Sequence, residues 1–484
     1  MTELGDLPVD NFRRLLHETA DWIADYRETI AGRRVASTVK PGDILRDLPA
    51  EAPEIGEPLH DILALVDQLV LPGITHWGHP RFMGYFGSTT TAPGIVAEMI
   101  TAALNVNAMT WQVSPAATEL ETVVLDWLRQ WLGLPSSFRG VFYDTASIAT
   151  LHALAVAREE ATQSMRQVGF TGRNLPVFRI YASDQAHSSI EKAAIALGLG
   201  ETNVRRVVSD ANFRLQIPLL RTMIEEDLAK GCRPLAIVAT VGTTSTASVD
   251  PVHEIVDICR QHQIWLHLDA AYGGGLALLP EADWVKGGWE ACDSFVINPH
   301  KMLFVPFDCS ALYVRDLERL RKVFALVPEY LRGDAAGADT NYMDYGLQLG
   351  RRFRALKAWM VWRTFGREGL AARIREHLRL ARLLALWIEK DGGFQVLAPV
   401  VMAVVCFTPR SDRVEESDRL SGEIVRQVNS SGQAFLTVTQ LHGRKAIRLG
   451  LGNILTTQEH LAEVWDTIRL TRVSLSSSGQ PKNE

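Results

Sequence analysis

Two residues, Lys301 and Asp269, have the types and the spacing from which chemistry can be argued. Lys301 lies in DSFVINPHKML (293–303). The apolar run from Ser294 to Ile297 reads as a short buried strand, and Asn298-Pro299 is a turn signal that stops it. A lysine directly after a buried strand and a tight turn is held in place. Partial desolvation and cationic neighbours lower a lysine's pKa and free its amine as a nucleophile. Taken singly, Lys301 reads equally as one of the many solvated surface lysines. Asp269 ends a second apolar stretch, IWLHLDAAYGGG (264–275), 32 residues upstream of Lys301. Alone it would be a turn or helix cap. The pair is more specific, because pyridoxal phosphate needs both a lysine for its Schiff base and a carboxylate on its pyridinium nitrogen.

The pair HLDAAY and NPHK, at this separation, resembles the group II amino-acid decarboxylases, the family of aromatic-L-amino-acid decarboxylase within the fold-type I pyridoxal-phosphate enzymes. The resemblance runs from about residue 8 to 472. It implies a large, mostly parallel α/β domain with an N-terminal helical arm and a small C-terminal α/β domain. It also implies roles for individual residues. Lys301 carries the cofactor, Asp269 and Ala271 lie along it, and His187 in SDQAHSS stacks on its ring and serves in proton steps. Thr145, Ala146, Ser147, Asn298 and His300 anchor the phosphate, and Thr244 sits close to cofactor and substrate. Trp77, Tyr85, Phe86 and Ser88 belong to the substrate-pocket loop THWGHPRFMGYFGS, in which Gly87-Ser88 replaces the usual Pro-Thr. Asn107 and Met109 replace an apolar and an aromatic residue that help form the pocket across a dimer interface. Tyr330, 29 residues after Lys301, matches the catalytic-loop tyrosine that protonates the α-carbon after CO2 leaves. Relatives with phenylalanine there tend toward aldehyde formation.

The elements that must position these residues are legible in outline. Residues 8–30 and 58–71 have helical spacing of apolar residues. They read as ordinary amphipathic helices or, by the resemblance, as an arm laid across a second subunit. In 105–128, Ser114 or Thr118 can cap a helix whose first turn holds Glu119 and Glu121. Residues 140–158 read strand, turn, helix, so Thr145–Ser147 offer free N–H groups and hydroxyls at a helix start. Simple capping explains them equally. Asp144 precedes them where the family often has glycine, and it is expected to point away from a phosphate. Residues 178–191 give another strand, with Ser188 and Glu191 as a capping box. LAIVATVGTT (235–244) has the continuous apolar character of a parallel strand. Strands alternating with helices from about 139 to 316 argue for an α/β sheet, with the candidates at strand C-terminal ends. The basic cluster of LGRRFRALKAW (349–359) reads as a solvated or ion-paired face.

These patterns divide the chain into a helical segment (1–100), a cofactor-binding α/β domain (101–374), a small α/β domain (375–472) and a disordered tail (473–484). The 484 residues are 47% hydrophobic, ample for a large core, and 50 basic against 56 acidic residues give a net charge of −6. No basic patch with interleaved aromatics argues for nucleic acid. No apolar run approaches a membrane span, and the start MTELGDLPVDNF has no signal-peptide pattern. Five scattered cysteines without zinc spacing read as buried small hydrophobes in a reducing cytosol. The expectation is therefore a cytoplasmic homodimer that binds pyridoxal phosphate and no metal, and decarboxylates an L-amino acid, aromatic by resemblance. Three alternatives stay open: an oxygen-consuming aldehyde synthase, a decarboxylase of an acidic or aliphatic amino acid, and a non-catalytic binding protein.

Overall fold

The computed structural model describes residues 5–162, 164–326 and 340–478. Seven strands form the central sheet: β1 (Arg139–Tyr143), β2 (Phe178–Ser183), β3 (Val204–Val207), β4 (Arg233–Thr240), β5 (Trp265–Asp269), β6 (Ser294–Ile297) and β7 (Ser310–Val314). Their order is β1-β7-β6-β5-β4-β2-β3. Neighbours from β3 to β6 run parallel, and β7 is antiparallel to both β6 and β1. All residues of β5 and β6 are buried, as is β4 after Arg233. Helices cover both faces of such a sheet, so its strands are apolar throughout rather than alternating. The Ala146–Thr162 helix lies against β4, β5, β6 and β7 and is itself largely buried.

A second sheet is wholly antiparallel, in the order β10-β11-β9-β8, from β8 (Phe394–Val396), β9 (Val404–Pro409), β10 (Thr437–Leu441) and β11 (Arg444–Gly450). The aromatic loop of residues 75–88 is stitched to it. Met83 N–H donates to Phe435 O at 2.9 Å, and Gly450 N–H donates to Met83 O at 2.8 Å. The helix Arg354–Asp391 connects the two sheets and breaks at Gly366, where φ is 62°. The boundary drawn at 374/375 falls inside this helix. Among the described residues no helix is long and apolar enough to cross a membrane.

Several local expectations differ from the structure. The segment after 473 continues as helix to Ser478, because the helix Gln458–Ser478 is held by buried Leu461, Val464 and Ile468, and Leu475 still packs on the core. Residues 479–484 lie outside the described residues. Ser188 makes no side-chain cap, since Glu191 is drawn instead to the Arg206 guanidinium. Ser114 does cap its helix, accepting from Ala117 N–H at 3.3 Å. Four cysteines are buried, whereas Cys232 is partly exposed in the turn before β4. The cations of the 349–359 segment are paired: Arg351 with Glu121, Arg352 with Glu98, Arg354 with Asp308, and Lys357 with Glu98.

Candidate active site

The C-terminal ends of β1, β2, β4, β5 and β6 open onto one cavity of about 770 Å³. Lys301 is delivered to it by the buried strand β6 and a tight turn, in which Lys301 N–H donates to Asn298 O at 2.9 Å. Asn298 N–H in turn donates to Ala271 O at 3.1 Å, tying the lysine turn to the segment after β5. The Lys301 Nζ stands 5.0 Å from the centre of the Phe86 ring. Burial lowers its pKa to about 8; Asp269 opposes that shift and Arg448 adds to it. A larger share of the amine is therefore neutral near physiological pH than for an ordinary lysine, and the neutral form is the nucleophile.

Asp269, 7% exposed, closes β5. One carboxylate oxygen accepts the Ala271 N–H at 3.1 Å. The backbone that carries Asp269 is held close to β4, because Val241 N–H donates to Asp269 O at 2.8 Å. The next crossing is tighter: a Cβ on Gly273 would stand 2.5 Å from Val241 O, so only glycine fits there. His187 opens into the cavity from the turn after β2, and its Nδ1 accepts the Ser189 N–H at 3.1 Å. Burial lowers its pKa, with Asp269 opposing and Lys301 reinforcing the shift. The neutral ring then carries its hydrogen on Nε2.

Thr145, Ala146 and Ser147 line the cavity at the start of the Ala146–Thr162 helix. The first N–H groups of a helix have no intrahelical acceptor and suit an anion. Asp144 does not line the cavity. Its carboxylate accepts both the N–H and the hydroxyl of Thr145, a local side-chain-to-backbone bond that competes well at a helix start. This occupies the Thr145 donors, while Ala146 and Ser147 line the cavity beside them. His300 also lines the cavity; its Nδ1 accepts the Cys309 N–H at 2.9 Å, and burial lowers its pKa to about 3. It is a neutral ring with its hydrogen on Nε2.

The loop of residues 75–88 forms the opposite wall. Trp77 and Tyr85 stack at 5.5 Å with 6° between planes, and Phe86 stacks on Tyr272 at 3.8 Å. Ser88, Thr244 and Ala271 also line the cavity. Asn107 and Met109 do not line this chain's cavity. Asn107 Oδ1 accepts the Arg351 N–H at 2.9 Å, and Met109 O accepts the Met343 N–H at 3.0 Å. Tyr330 lies outside the described residues.

Sequence reasoning missed Arg448, Phe435, Thr437 and Thr439, which reach the cavity from the second sheet. Arg448 stands out. Its Nη1 donates to Tyr85 O at 2.6 Å, its Nε donates to Ser245 O at 3.0 Å, and its guanidinium lies 4.8 Å from the Phe86 ring centre. A charged residue between Ile447 and Leu449 in a buried strand was the available signal.

Three residues that line this cavity each keep a water-inaccessible side-chain atom without a hydrogen-bond partner among the described residues: Thr240 Oγ1, Asn298 Oδ1 and Arg448 Nη2. Polar side chains among the lining residues, Asp269, Asn298, His300 and Lys301 with them, suit a guest that carries polar groups. An amine nucleophile, a buried carboxylate and a helix-start cradle fit the aldehyde, ring nitrogen and phosphate of pyridoxal phosphate.

Comparison with known proteins agrees. The family model described as "Pyridoxal-dependent decarboxylase conserved domain" matches residues 41–410. The aromatic-L-amino-acid decarboxylase of Sus scrofa is 38% identical over 98% of this chain and 99% of its own length. The phenylacetaldehyde synthase of Arabidopsis thaliana is 37% identical over 96% of each chain. The crystal structure of Oryza sativa TDC with PLP and tryptamine superposes with a TM-score of 0.94 at 35% identity, covering 98% of this chain and 100% of that one. A lysine and an aspartate at adjacent strand ends, a matching family model over most of the chain and full-length relatives together make this chain a member of the pyridoxal-dependent decarboxylases, a carboxy-lyase that uses pyridoxal phosphate.

Proposed function

We propose that this enzyme removes the α-carboxylate of an aromatic L-amino acid to give the corresponding amine and CO2. The observation that carries the substrate class is the aromatic wall, in which Trp77, Tyr85, Phe86 and Phe435 face the cavity that holds Lys301. Flat apolar rings favour a flat apolar guest by area and by stacking. The names of the relatives, aromatic-L-amino-acid decarboxylase among them, lend support.

In this reading Lys301 attaches the cofactor through its amine, and Asp269 holds a proton at the ring nitrogen. Pyridoxal phosphate, when bound, supplies a conjugated ring that takes up the electron pair left by departing CO2. Ala146, Ser147, Asn298 and His300 hold the phosphate, with Thr145 setting the turn. His187 offers a flat neutral ring beside Asp269 and Lys301, and Thr244 and Ala271 shape the floor. Arg448 holds the Tyr85 carbonyl and so fixes the substrate wall. Tyr330 returns a proton to the α-carbon. Ser88 borders the substrate, and Asn107 and Met109 complete the pocket of a second subunit.

The homodimer is supported by an unpartnered apolar face. Val96, Met99, Ile100 and Leu104 of one helix are exposed, as are Phe12 and Leu16 of the arm. Five free thiols support a cytoplasmic setting.

The test is a panel of aromatic, acidic and aliphatic L-amino acids offered to the holoenzyme, with amine, aldehyde and CO2 followed by mass spectrometry. Amine from aromatic substrates is expected. Amine only from acidic or aliphatic ones overturns the substrate class, and aldehyde with ammonia and hydrogen peroxide makes the enzyme an aldehyde synthase.

A further inference from the structure

Glu121 and Arg351 form a bidentate ion pair, at 2.6 and 3.1 Å, in which both side chains are nearly inaccessible. Neither touches the cavity. What they hold is the open edge of β1. Phe142 faces Ala311 of β7 on one side; on the other, its N–H donates to Glu121 Oε1 at 3.0 Å, and its carbonyl accepts from Arg351 Nη2 at 2.9 Å. The ion pair thus stands where a neighbouring strand would, and an edge strand otherwise leaves such groups unpaired. Phe142 is three residues ahead of Thr145, with only Tyr143 and Asp144 between them.

The same pair reaches further. Arg351 Nη1 donates to Ala108 O at 3.0 Å, and the guanidinium lies 4.8 Å from the Tyr342 ring centre. Tyr143, the next residue of β1, donates its hydroxyl to Tyr345 O. The end of β1 is therefore clamped from its open side by the chain that returns at 342–351. Tertiary stability alone does not require charges here, since buried ion pairs often contribute little net stability against apolar side chains of similar volume. They do fix geometry: a guanidinium fork and a carboxylate bond in one plane and one register.

We propose that Glu121 and Arg351 are positioning residues for the phosphate turn. By fixing the end of β1 they set where the Ala146 and Ser147 donors point, without touching the phosphate themselves. The proposal rests on the reading of Ala146 and Ser147 as the phosphate cradle.

The test compares two ligands on the apo-protein. Affinities for pyridoxal 5'-phosphate and for pyridoxal, which lacks the phosphate, are measured by absorbance for R351K and E121Q. R351K keeps the charge and loses the fork; E121Q keeps an acceptor for the Phe142 N–H and loses the charge. Apo-protein melting temperature is recorded beside them. Both variants are expected to bind pyridoxal 5'-phosphate roughly tenfold more weakly, the order of effect of losing a supporting shell, with pyridoxal affinity unchanged. Equal losses for the two ligands, or a lowered melting temperature with both affinities intact, overturn the proposal. If R351K fails to fold, E121Q makes the same comparison alone. Ser147→Ala tests the cradle separately. If it leaves the phosphate-dependent affinity intact, the cradle reading fails. If it weakens that affinity while R351K and E121Q do not, the cradle stands and the clamp proposal fails.

Discussion

The Lys301 amine stands 5.0 Å from the centre of the Phe86 ring, and that ring also carries the Arg448 guanidinium at 4.8 Å. Two cations thus share one aromatic side chain in the cavity. The arrangement keeps Lys301 reactive, because burial first and the Arg448 charge after it lower its pKa to about 8, against the pull of Asp269.

Capture of pyridoxal phosphate by the apo-protein is accordingly expected to speed up as pH rises through about 8 and then level off. Arg448→Met keeps the bulk and removes the neighbouring charge, so the midpoint should move upward. Stopped-flow absorbance across this range measures it. An unmoved or lowered midpoint would show that Arg448 does not tune the lysine. The same shift has a stability consequence. Between about 8 and the ordinary lysine value near 10.5, the unfolded chain binds more protons at this site than the folded one, so the site's contribution to apo-protein stability rises with pH there.

Asp269→Asn preserves size and the acceptor for the Ala271 N–H, so the protein should fold and still bind cofactor through Lys301. It cannot carry the negative charge that keeps a ring nitrogen protonated. A fall in kcat of about 10²-fold or more is expected, within the range of positioned proton-holding groups. Steady-state kinetics on a saturated holoenzyme reads it, and near-normal kcat would remove Asp269 from the chemistry.

Much of this site could be read from local pattern, for a physical reason. Lys301, Asp269, His187 and Thr145–Ser147 each follow a strand end or open a helix, and open α/β sheets gather ligands at such ends. Arg448 and Phe435 could not be read that way. They reach the cavity only because the second sheet docks on residues 75–88, through long-range bonds such as Gly450 N–H to Met83 O. Local rules failed where a distant partner competed. Glu191 left its capping box for Arg206, a residue of β3. Composition alone argues against a helix beyond residue 473, yet the helix continues there, carried by the packed turns before it.

Tyr330→Phe tests the outcome of the reaction rather than the site. If Tyr330 delivers the proton to the α-carbon, the variant should lose amine formation. It should gain aldehyde, ammonia and hydrogen peroxide in equal amounts, with one O2 and one water consumed per turnover. Oxygen-electrode traces alongside amine quantification separate the routes. Full-rate amine formation with no oxygen uptake would take Tyr330 out of the mechanism.

Tyr85 joins backbone strain to the substrate wall. Its φ of 50° is left-handed, a conformation that costs a bulky residue, and it turns the Tyr85 carbonyl to the Arg448 Nη1 at 2.6 Å. Gly450 makes room for this, since a Cβ there would stand 2.4 Å from Tyr85 O. The ring, meanwhile, stacks on Trp77 and faces the cavity. Tyr85→Ala keeps the carbonyl and removes the ring. An aromatic contact of this kind contributes about 1 kcal/mol beyond its area. KM for an aromatic substrate should therefore rise severalfold to about tenfold, with kcat within about twofold, as loss of uniform binding requires. Tyr85→Phe should leave both constants near their original values. A fall in kcat at constant KM in Tyr85→Ala would mean that the strained carbonyl, through Arg448, matters more than the ring.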